Sequence, residues 1–500
     1  MDFKTRKISN KEKKKLFKYK PRKVSTSSTK KVTVSASILG SLAVLFVLVF
    51  GIYKAISSVD ISVFLEAAGE ELQTDAFGHT NFLILGTGGF GHDGGDLTDA
   101  IIVASMDKEL KTVSMLSIPR DLWVKDETVG NSKINEVYYN AKNHLGSSTQ
   151  GIDYTKSRIE EMIGMPIHYW VKIDFKGFTE MIDAIGGVDV IVKERIYDPY
   201  YPKDGTYDYE TFALDAGPQH LDGKTALKYA RSRKTTSDFD RAERQQELLY
   251  AIKEQALNLE IITSPEKIKN ILNTLKENIQ TNITAQEILT LGGFAADFDR
   301  SKISHKLIHD DPNSCGGLLY TPERKYYNNL FVLLPAGGQD FLHLYSEISF
   351  NYPEERESTT LHILNGTSTG GVAGEAKQIL QRFCFNINRF GNAATQDLVE
   401  TTYYYKQQLD QDGNPIDSRP AALDALQRLI PGKESTDIPE DYLVEGYIPG
   451  SDLILEIGSD YVQSENYIED PFYALYYLYA TPSTTESTES TESAEVAPTE

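Results

Sequence analysis

The sequence predicts an α/β protein in which a sheet is covered by helices on both faces, followed by a second, smaller α/β domain. Two observations predict this architecture. Short β-branched and apolar runs alternate with helix-like stretches, first over residues 80–231 and again over 360–458. A long apolar run near the N-terminus separates a basic segment from an acidic remainder. We therefore expect two globular units behind one membrane segment.

The N-terminal charge pattern predicts a signal anchor. Residues 1–31 contain 13 Lys and Arg against two acidic residues, a net charge of +11, which leaves −32 for the rest of a chain that totals −21. Residues 32–56 carry no charge before Lys54. About 20 apolar residues span a bilayer as a helix, and a basic flank holds its side in the cytoplasm. We expect a cytoplasmic segment over 1–31, one transmembrane helix over 32–56, and the acidic bulk outside a bacterial cell.

Two alternative interpretations of this segment fit it less well. Ala55 and Ser57 resemble the small residues of a signal-peptide cleavage site, although the basic region is long for a cleaved peptide. A buried core helix fits poorly with the abrupt basic flank. Residues 57–78 read as a stalk between membrane and domain.

The first globular unit is expected over residues 79–350. A long helix should begin near Asp238 and end near residue 258, with further helices within 265–297 and strand or loop over 300–350. The expected strands are 81–86, 100–107, 111–119, 169–174 and 188–192, and the expected helices are 152–164, 175–186 and 222–231.

The second unit is expected over residues 359–462, after a polar linker at 351–358. Residues 463–480 form a trailing segment, and 481–500 form a Ser/Thr/Glu-rich tail that cannot bury a core and should be disordered. Its expected strands are 360–366, 401–405 and 452–458, and its expected helices are 372–384 and 420–430.

Composition limits the function classes. A hydrophobic content of 40% suits a core-forming globular protein. The strong negative charge argues against a nucleic-acid partner, since affinity for nucleic acid comes from Lys and Arg that neutralise phosphates. Only Cys315 and Cys384 are present, which excludes a disulfide scaffold; one bridge and two buried thiols both remain open.

A Gly-rich loop at residues 85–100, LGTGGFGHDGGDLTDA, follows the first strand and carries Asp93, Asp96 and Asp99. Glycine lets the backbone approach a ligand, and carboxylate oxygens suit Mg²⁺. The alternative is an ordinary turn, which both residue types favour. The loop has neither a Walker lysine nor the spacing of a dinucleotide site.

Arg120 and Asp121 follow a third strand in SIPRDLWV. Ligands gather outside the carboxyl ends of strands in open α/β sheets, so Arg120 is placed to bind an anion. The alternative is a surface ion pair. Lys133 precedes a predicted helix and is either a further cation of this site or a solvated lysine.

Residues 228–249, KYARSRKTTSDFDRAERQQELL, gather four arginines in an acidic chain. Arg231 and Arg233 lie where one predicted helix ends, and Ser237 to Asp240 match a capping pattern for the next. The side chains that share one face of this next helix are Arg241, Arg244 and Gln245. Guanidinium groups bind phosphate oxygens in pairs, so an anion site is favoured over salt bridges with neighbouring acids. Together with the carboxylates, the cluster predicts a pyrophosphate or phosphodiester substrate, lipid-linked because of the anchor.

These motifs resemble the LytR-CpsA-Psr (LCP) family of cell-wall glycopolymer transferases. The resemblance rests on NFLILG, LTDAIIVASMD, VSMLSIPRDLWV, KINEVYYNA, IHYWVKIDFKGFTEMIDAIGGVDVIV and LDAGPQHLDGKTALKYARSR with DFDRAERQQ, and residues 359–462 resemble the LytR C-terminal-type domain. It implies an α/β/α sandwich with a lipid pocket. It also implies a membrane-anchored enzyme that transfers a teichoic acid or capsule-type glycopolymer from polyprenyl pyrophosphate to peptidoglycan.

The resemblance also implies roles for individual residues. Asp99 matches a metal-binding aspartate for Mg²⁺ or Mn²⁺, and Asp121 and Asp240 are the candidates for the catalytic base. The positions that match the pyrophosphate clamp are Arg120, Arg231, Arg233, Arg241 and Arg244, with Lys133 and Gln245 flanking.

One position departs from the family pattern. Gly88 stands where the family usually has an aspartate, and the Arg that commonly precedes the Ser-Asp pair is also absent. Asp93 or Asp96 is a candidate to compensate. Two alternatives to transfer stay open: hydrolysis of a lipid pyrophosphate by the same clamp, and a non-catalytic wall-binding protein.

Overall fold

The computed structural model describes two large stretches of the chain and parts of the region between them. The predicted membrane segment at 32–56, most of the predicted helix from Asp238 and the C-terminal tail lie outside the described residues. In the part that is described, no helix combines the length and apolarity needed to cross a bilayer. The described residues are 71–92, 94–203, 208–232, 244, 248, 251–252, 255, 279–284, 287, 290–291, 303–352, 357–408, 410, 418–443, 451–465, 467–473 and 475.

The first unit is built from fourteen described strands, five described α-helices and a short 3₁₀ helix at Arg324–Tyr326. The strands are β1 (Thr80–Thr87), β2 (Thr98–Asp107), β3 (Thr112–Ile118), β4 (Trp123–Val124), β5 (Ser132–Lys133), β6 (Tyr169–Asp174), β7 (Val188–Val192), β8 (Ile196–Pro202), β9 (Tyr209–Leu214), β10 (Gly217–Leu221), β11 (Ile279–Thr281), β12 (Ile303–Leu307), β13 (Leu319–Tyr320) and β14 (Leu334–Pro335). The helices are α1 (Ile134–Leu145), α2 (Ser148–Ile163), α3 (Phe175–Ala184), α4 (Gly223–Arg231) and α5 (Gly338–Asn351).

A mixed six-stranded sheet in the order β11-β6-β1-β2-β3-β12 organises this unit. β1 pairs parallel with β6 and β3 with β12, whereas the other neighbours are antiparallel. Thr87 lies opposite Asp174 on β6 and opposite Thr98 on β2. The carboxyl ends of β1, β3 and β6 therefore meet the start of β2 at one edge of the sheet.

Both faces of the sheet are buried, as the apolar runs predicted. On β1, Phe82 and Ile84 belong to one hydrophobic cluster, while Leu83 and Leu85 belong to the cluster on the opposite face. The alternation follows from the two-residue period of a strand. Helices α3 and α4 contribute to the first cluster, and α1, α2 and α5 contribute to the second.

One prediction for this unit was wrong, and one predicted strand lies apart from the main sheet. The strand predicted over 188–192 is confirmed as β7, which pairs with β10 in a separate two-stranded sheet among the described residues. Residues 300–350 contain the fourteen-residue helix α5, where only strand and loop were expected. Its buried residues Phe341, Leu342, Tyr345 and Ile348 follow helical spacing, so the sequence itself carries the signal for this helix.

The second unit has a five-stranded sheet in the order β16-β15-β19-β17-β18, which confirms its predicted α/β character. Its elements are β15 (Thr360–Asn365), α6 (Val372–Arg382), β16 (Asn386–Asn392), β17 (Thr402–Tyr405), α7 (Leu423–Leu429), β18 (Lys433–Ser435), α8 (Glu440–Leu443), β19 (Leu453–Ile457) and α9 (Ser459–Gln463).

Residues at the end of α6 connect the second unit to the first. Cys384 forms a disulfide with Cys315, with 4.6 Å between their Cα atoms, which settles the pairing that the sequence left open. The Phe383 ring packs against Phe341 of α5 at 5.2 Å between centroids. Arg382 is fully buried and binds Asp470 at 2.6 and 3.1 Å. A buried ion pair needs both partners, because either one alone would be an uncompensated buried charge.

Asp470→Asn should therefore lower the free energy of unfolding by about 3 kcal/mol or more, since it leaves the Arg382 guanidinium without its carboxylate. The matched control is Glu347→Gln, which breaks the more exposed pair with Arg428 (2.7 Å) and should change stability by less than about 1 kcal/mol. Thermal and urea unfolding of the two variants measure the difference. Equal losses of unfolding free energy in the two variants would show that burial does not determine how much the Arg382–Asp470 pair contributes to stability.

Candidate functional site

The Gly-rich loop between β1 and β2 lies at the sheet edge where the strand ends meet. Its backbone is closed on itself by a hydrogen bond from Gly89 N to the Gly95 carbonyl at 2.8 Å. Gly89 has a φ of +81°, which only glycine adopts without strain, and a Cβ at Gly95 would lie 2.1 Å from the Gly89 carbonyl oxygen. The glycines are thus required by the tight path of the loop.

His92 of this loop packs over Gly88. A Cβ built on Gly88 would lie 2.8 Å from Nδ1 of His92, so the imidazole occupies the space that any larger residue at position 88 would need. The ring of His92 also contacts the edge of the Phe175 ring, with 5.2 Å between centroids. The loop therefore reaches the first residue of α3.

Four charged side chains form what we call the strand-end cluster: Asp99, Arg120, Asp121 and Lys133. Arg120 Nη1 donates to Asp99 Oδ1 at 3.0 Å, and Arg120 Nε lies 3.6 Å from Asp121 Oδ2. Lys133 Nζ donates to Asp121 Oδ1 at 2.6 Å. Two cations and two carboxylates thus alternate, so an incoming anion meets cations already held in place.

The backbone fixes the position of Arg120. After β3 the chain turns at Pro119, and the carbonyls of Arg120 and Asp121 accept hydrogen bonds from Asn135 N and Leu333 N at 3.4 and 2.9 Å. Partial burial lowers the pKa of Arg120, but the charges of Asp99 and Asp121 outweigh this effect and raise it above its ordinary value. Its side chain is still about half exposed (47%), so the guanidinium is accessible from solvent.

Arg231 is placed by the end of α4. The helix begins at the N-cap Asp222, whose carboxylate accepts from Thr225 N, and it ends at Arg231. The guanidinium carbon lies 4.2 Å from the centroid of the Phe175 ring, and Nη1 donates to the Tyr201 hydroxyl at 3.1 Å. Stacking on aromatic faces holds the guanidinium in a fixed orientation.

Arg244 supports the same helix end from inside the protein. Its side chain is only 6% exposed, and its guanidinium donates to the carbonyls of Tyr229 and Ser232 at 3.1 and 2.6 Å. Cations near the C-terminus of a helix are favourable because the carbonyls there lack helical partners. The geometry gives Arg244 a positioning contact beside Arg231.

Carboxylates suited to a metal ion are sparse in the described residues. No group of three or more His, Cys, Asp or Glu side chains in that part of the chain has the arrangement of a metal site. Asp96 binds Lys142 at 2.7 Å, which commits one oxygen of the candidate for compensation. Asp99 carries hard oxygen ligands at the site, and this chemistry fits Mg²⁺, which is often held by one or two carboxylates together with water and substrate phosphates.

Several predicted site residues lie outside the described residues: Asp93, Arg233, Asp240, Arg241 and Gln245. The structure brings Asp99, Arg120, Asp121 and Lys133 together, and the Gly-rich loop links them to Phe175 and Arg231. Phe175 and Tyr201 were missed by the sequence reasoning. Phe175 directly follows a strand, a position that could have flagged it, whereas nothing in the sequence pairs Tyr201 with Arg231.

Comparison with known proteins agrees with these motifs. The family model described as LytR_cpsA_psr family matches residues 52–331, more than half of the chain. The chain belongs to the LytR-CpsA-Psr family. A second family model, described as LytR cell envelope-related transcriptional attenuator, matches residues 358–461.

Curated relatives of this family member carry transferase names. Residues of this chain are 34% identical over 236 positions to the polyisoprenyl-teichoic acid–peptidoglycan teichoic acid transferase TagV of Bacillus subtilis strain 168, which covers 46% of this chain and 55% of the relative. The similarly named TagT of the same strain is 30% identical over 197 positions, covering 39% of this chain and 56% of that protein. The matched part thus spans little more than half the length of these relatives.

Solved structures of the same relatives also align with this chain. The crystal structure of B. subtilis TagV is 28% identical, with a TM-score of 0.40, and covers 55% of this chain and 98% of the solved one. A structure described as TagT bound to LI-WTA is 22% identical, with a TM-score of 0.38, and covers 56% and 93% of the two chains.

Replacing Gly88 tests the contact with His92. Gly88→Ala should lower the free energy of unfolding by about 1 kcal/mol or more, because its Cβ would meet the imidazole and overpacking forces side chains to shift. Gly88→Ala combined with His92→Ala should recover most of this loss, as thermal unfolding in a double-mutant cycle would measure.

The control is Gly370→Ala, where a new Cβ meets nothing within 4 Å. A Gly88→Ala protein as stable as the Gly370→Ala protein, with no coupling to position 92, would contradict the close packing of the loop.

Proposed function

We propose that this protein is a membrane-anchored phosphotransferase that moves an anionic glycopolymer from a polyprenyl-pyrophosphate carrier to peptidoglycan outside the cell. The observation that carries the proposal is the placement of two oriented arginines by strand ends of one sheet: half-exposed Arg120 follows β3, and Arg231 stacks on Phe175, which directly follows β6. Membership of the LytR-CpsA-Psr family and the teichoic acid transferase names of the relatives support it. The apolar run at 32–56 supports the anchor.

The reaction requires the site to stabilise charge on phosphate oxygens. A sugar hydroxyl of the acceptor attacks the phosphorus that bears the glycopolymer, forming a new P–O bond. The bond from that phosphorus to the bridging oxygen breaks, and the lipid phosphate leaves with the electron pair. The acceptor proton passes to a base, and the product is a phosphodiester.

The two arginines are suited to different parts of this change. The flat face of the Arg231 guanidinium stacks on the Phe175 ring. Phosphate oxygens bind along the edge of a guanidinium, so this stacking is compatible with phosphate binding. Arg120 is held by Asp99 and Asp121, and its guanidinium, which stays ionised in proteins, is in place as the negative charge of the transition state develops. Such preorganised cations are typically worth several kcal/mol in rate.

The carboxylates serve supporting roles in this scheme. Asp99 is the described residue that would hold Mg²⁺ or Mn²⁺ with substrate oxygens, and a bound divalent ion would neutralise phosphate charge. Asp121 is one of the two proposed bases, and it pairs with Arg120 and Lys133. Asp240 remains the other proposed base. Lys133 holds Asp121 and thereby orients Arg120.

The direct experiment incubates the full-length chain with a polyprenyl-pyrophosphate oligosaccharide, peptidoglycan fragments and Mg²⁺. A phosphodiester-linked product that needs all three components supports transfer. Sugar phosphate released without acceptor linkage would identify the hydrolase instead, and intact donor throughout would leave a non-catalytic wall-binding protein.

Arg231→Gln should reduce the rate of transfer by about 100-fold or more, since one oriented donor to a developing negative charge is removed. The control is Arg324→Gln, an exposed arginine that also stacks on a phenylalanine, with its guanidinium carbon 5.6 Å from the Phe331 ring. It should retain the wild-type rate. Both rates are measured by product formation, with unfolding curves to show that each variant is folded. A wild-type rate in Arg231→Gln would remove the arginine from the site.

A further inference from the structure

The β8–β9 hairpin has two chemically different faces. Its side chains alternate between buried and exposed along both strands, with a bulge between Asp198 and Tyr201. The inward face carries Ile196, Asp198, Tyr201 and Phe212, and all four are nearly inaccessible to solvent. The hairpin is therefore fixed to the domain through one face only.

The inward face holds the helix end that carries Arg231. The Tyr201 hydroxyl accepts a hydrogen bond from Arg231 at 3.1 Å, and Asp198 Oδ2 accepts from the Ser232 hydroxyl at 2.9 Å. Both contacts are made by strand residues, so the hairpin has a fixed position relative to the candidate site. Arg231 therefore lies on the inward side of the hairpin, and the hairpin carries a second, outward face at a fixed position relative to it.

The outward face is a tyrosine surface, by which we mean Tyr197, Tyr200 and Tyr209. Their exposed fractions are 47%, 57% and 65%. The rings of Tyr200 and Tyr209 pack edge to face at 6.0 Å between centroids. The other exposed residues of this face are uncharged: Pro202, Thr211 and Ala213.

We propose that the tyrosine surface docks the acceptor glycan strand, whose uncharged sugar rings would lie on the tyrosine rings. This inference rests on the proposed function and adds to it the place where the acceptor binds. Tyrosine offers a large, rigid, amphipathic contact area with little entropy to lose. The C–H face of a sugar ring packs on the negative face of an aromatic ring, and the phenol hydroxyls exchange hydrogen bonds with sugar hydroxyls.

Charge selects the glycan over other partners. Described ionic groups of both signs surround this face. Arg195 lies over the Tyr197 ring and pairs with Asp215 at 3.1 Å, Lys228 pairs with Glu210, and the exposed Lys203 and Asp208 carry opposite charges. The described residues of this surface therefore offer a polyanionic polymer no excess of positive charge. An anionic bilayer is disfavoured for the same reason, because attraction to it requires a cluster of Lys and Arg.

In the test, the full-length chain in detergent is titrated with a soluble β-1,4-linked N-acetylglucosamine oligosaccharide, and calorimetry measures the Kd. Tyr200→Ser combined with Tyr209→Ser should raise Kd about tenfold or more, as expected when two anchoring aromatic rings are lost. Tyr200→Phe with Tyr209→Phe should keep most of the affinity, since the ring faces remain. Tyr326→Ser, at a tyrosine that is 72% exposed elsewhere in the first unit, is the matched control and should bind as wild type.

Hydrogen exchange of residues 196–202 and 208–214 locates the binding. Protection on adding the oligosaccharide, lost in the double Ser variant, supports the proposal. An unchanged Kd in that variant overturns it. Protection caused by phosphatidylglycerol nanodiscs but not by the oligosaccharide also overturns it and assigns the surface to the membrane. If the double variant is unfolded, Tyr209→Ser alone gives the same readings with a smaller shift in Kd.

The binding measurement does not require the protein to catalyse transfer. Arg231→Gln should bind the oligosaccharide as wild type even though it is expected to have lost transfer. A protein that binds the oligosaccharide at the hairpin yet makes no phosphodiester would contradict the proposed function and leave the glycan surface standing. Normal transfer by the double Ser variant would contradict the glycan surface and leave the proposed function standing.

Discussion

The parallel pairing of β1 with β6 is the constraint on which the candidate site depends. It places Thr87 opposite Asp174, so the Gly-rich loop leaves the sheet beside the start of α3. Asp174 caps that helix by accepting from Gly177 N at 2.7 Å, which fixes Phe175 as its first residue. Phe175 then contacts His92 and Arg231. A change of register here would separate the loop from the arginine, because slipping one residue reverses which face each side chain points to.

An acidic protein that binds an anion must hold its cations in place against its own carboxylates. Arg120 is held by Asp99 and Asp121, an arrangement that fixes the guanidinium but neutralises part of its charge. Arg231 is held by the rings of Phe175 and Tyr201, which orient it without adding negative charge. The two arginines are therefore held by different kinds of contact. The paired arginine is kept in place by its carboxylates when no substrate is bound, and the stacked arginine is oriented by the two rings.

Much of the fold could be predicted from the sequence because β-branched and apolar runs mark strands that are buried on both faces, as in β1, β2, β3 and β6. The same signal cannot say which strand pairs with which, so it did not indicate that β7 pairs with β10 outside the main sheet. Within the candidate site, Arg120 was accessible to prediction because it follows a strand. Tyr201 and Phe175 were not identified, since their contacts with Arg231 join residues that are distant in sequence and depend on tertiary packing. The Cys315–Cys384 pairing was undecided for the same reason.

Gly88 and the His92 side chain depend on each other for space. The sequence alone presents it as the loss of an aspartate that the family resemblance leads one to expect. In the structure the imidazole of His92 fills the space beside Gly88, and the loop is closed by backbone hydrogen bonds on either side. A side chain at position 88, aspartate included, would therefore require the His92 side chain to move. Under the proposed function, Asp99 is then the main described carboxylate at this loop, and a divalent ion would depend more on substrate phosphates for its ligands. Metal and substrate would then bind together, because each supplies what the other lacks.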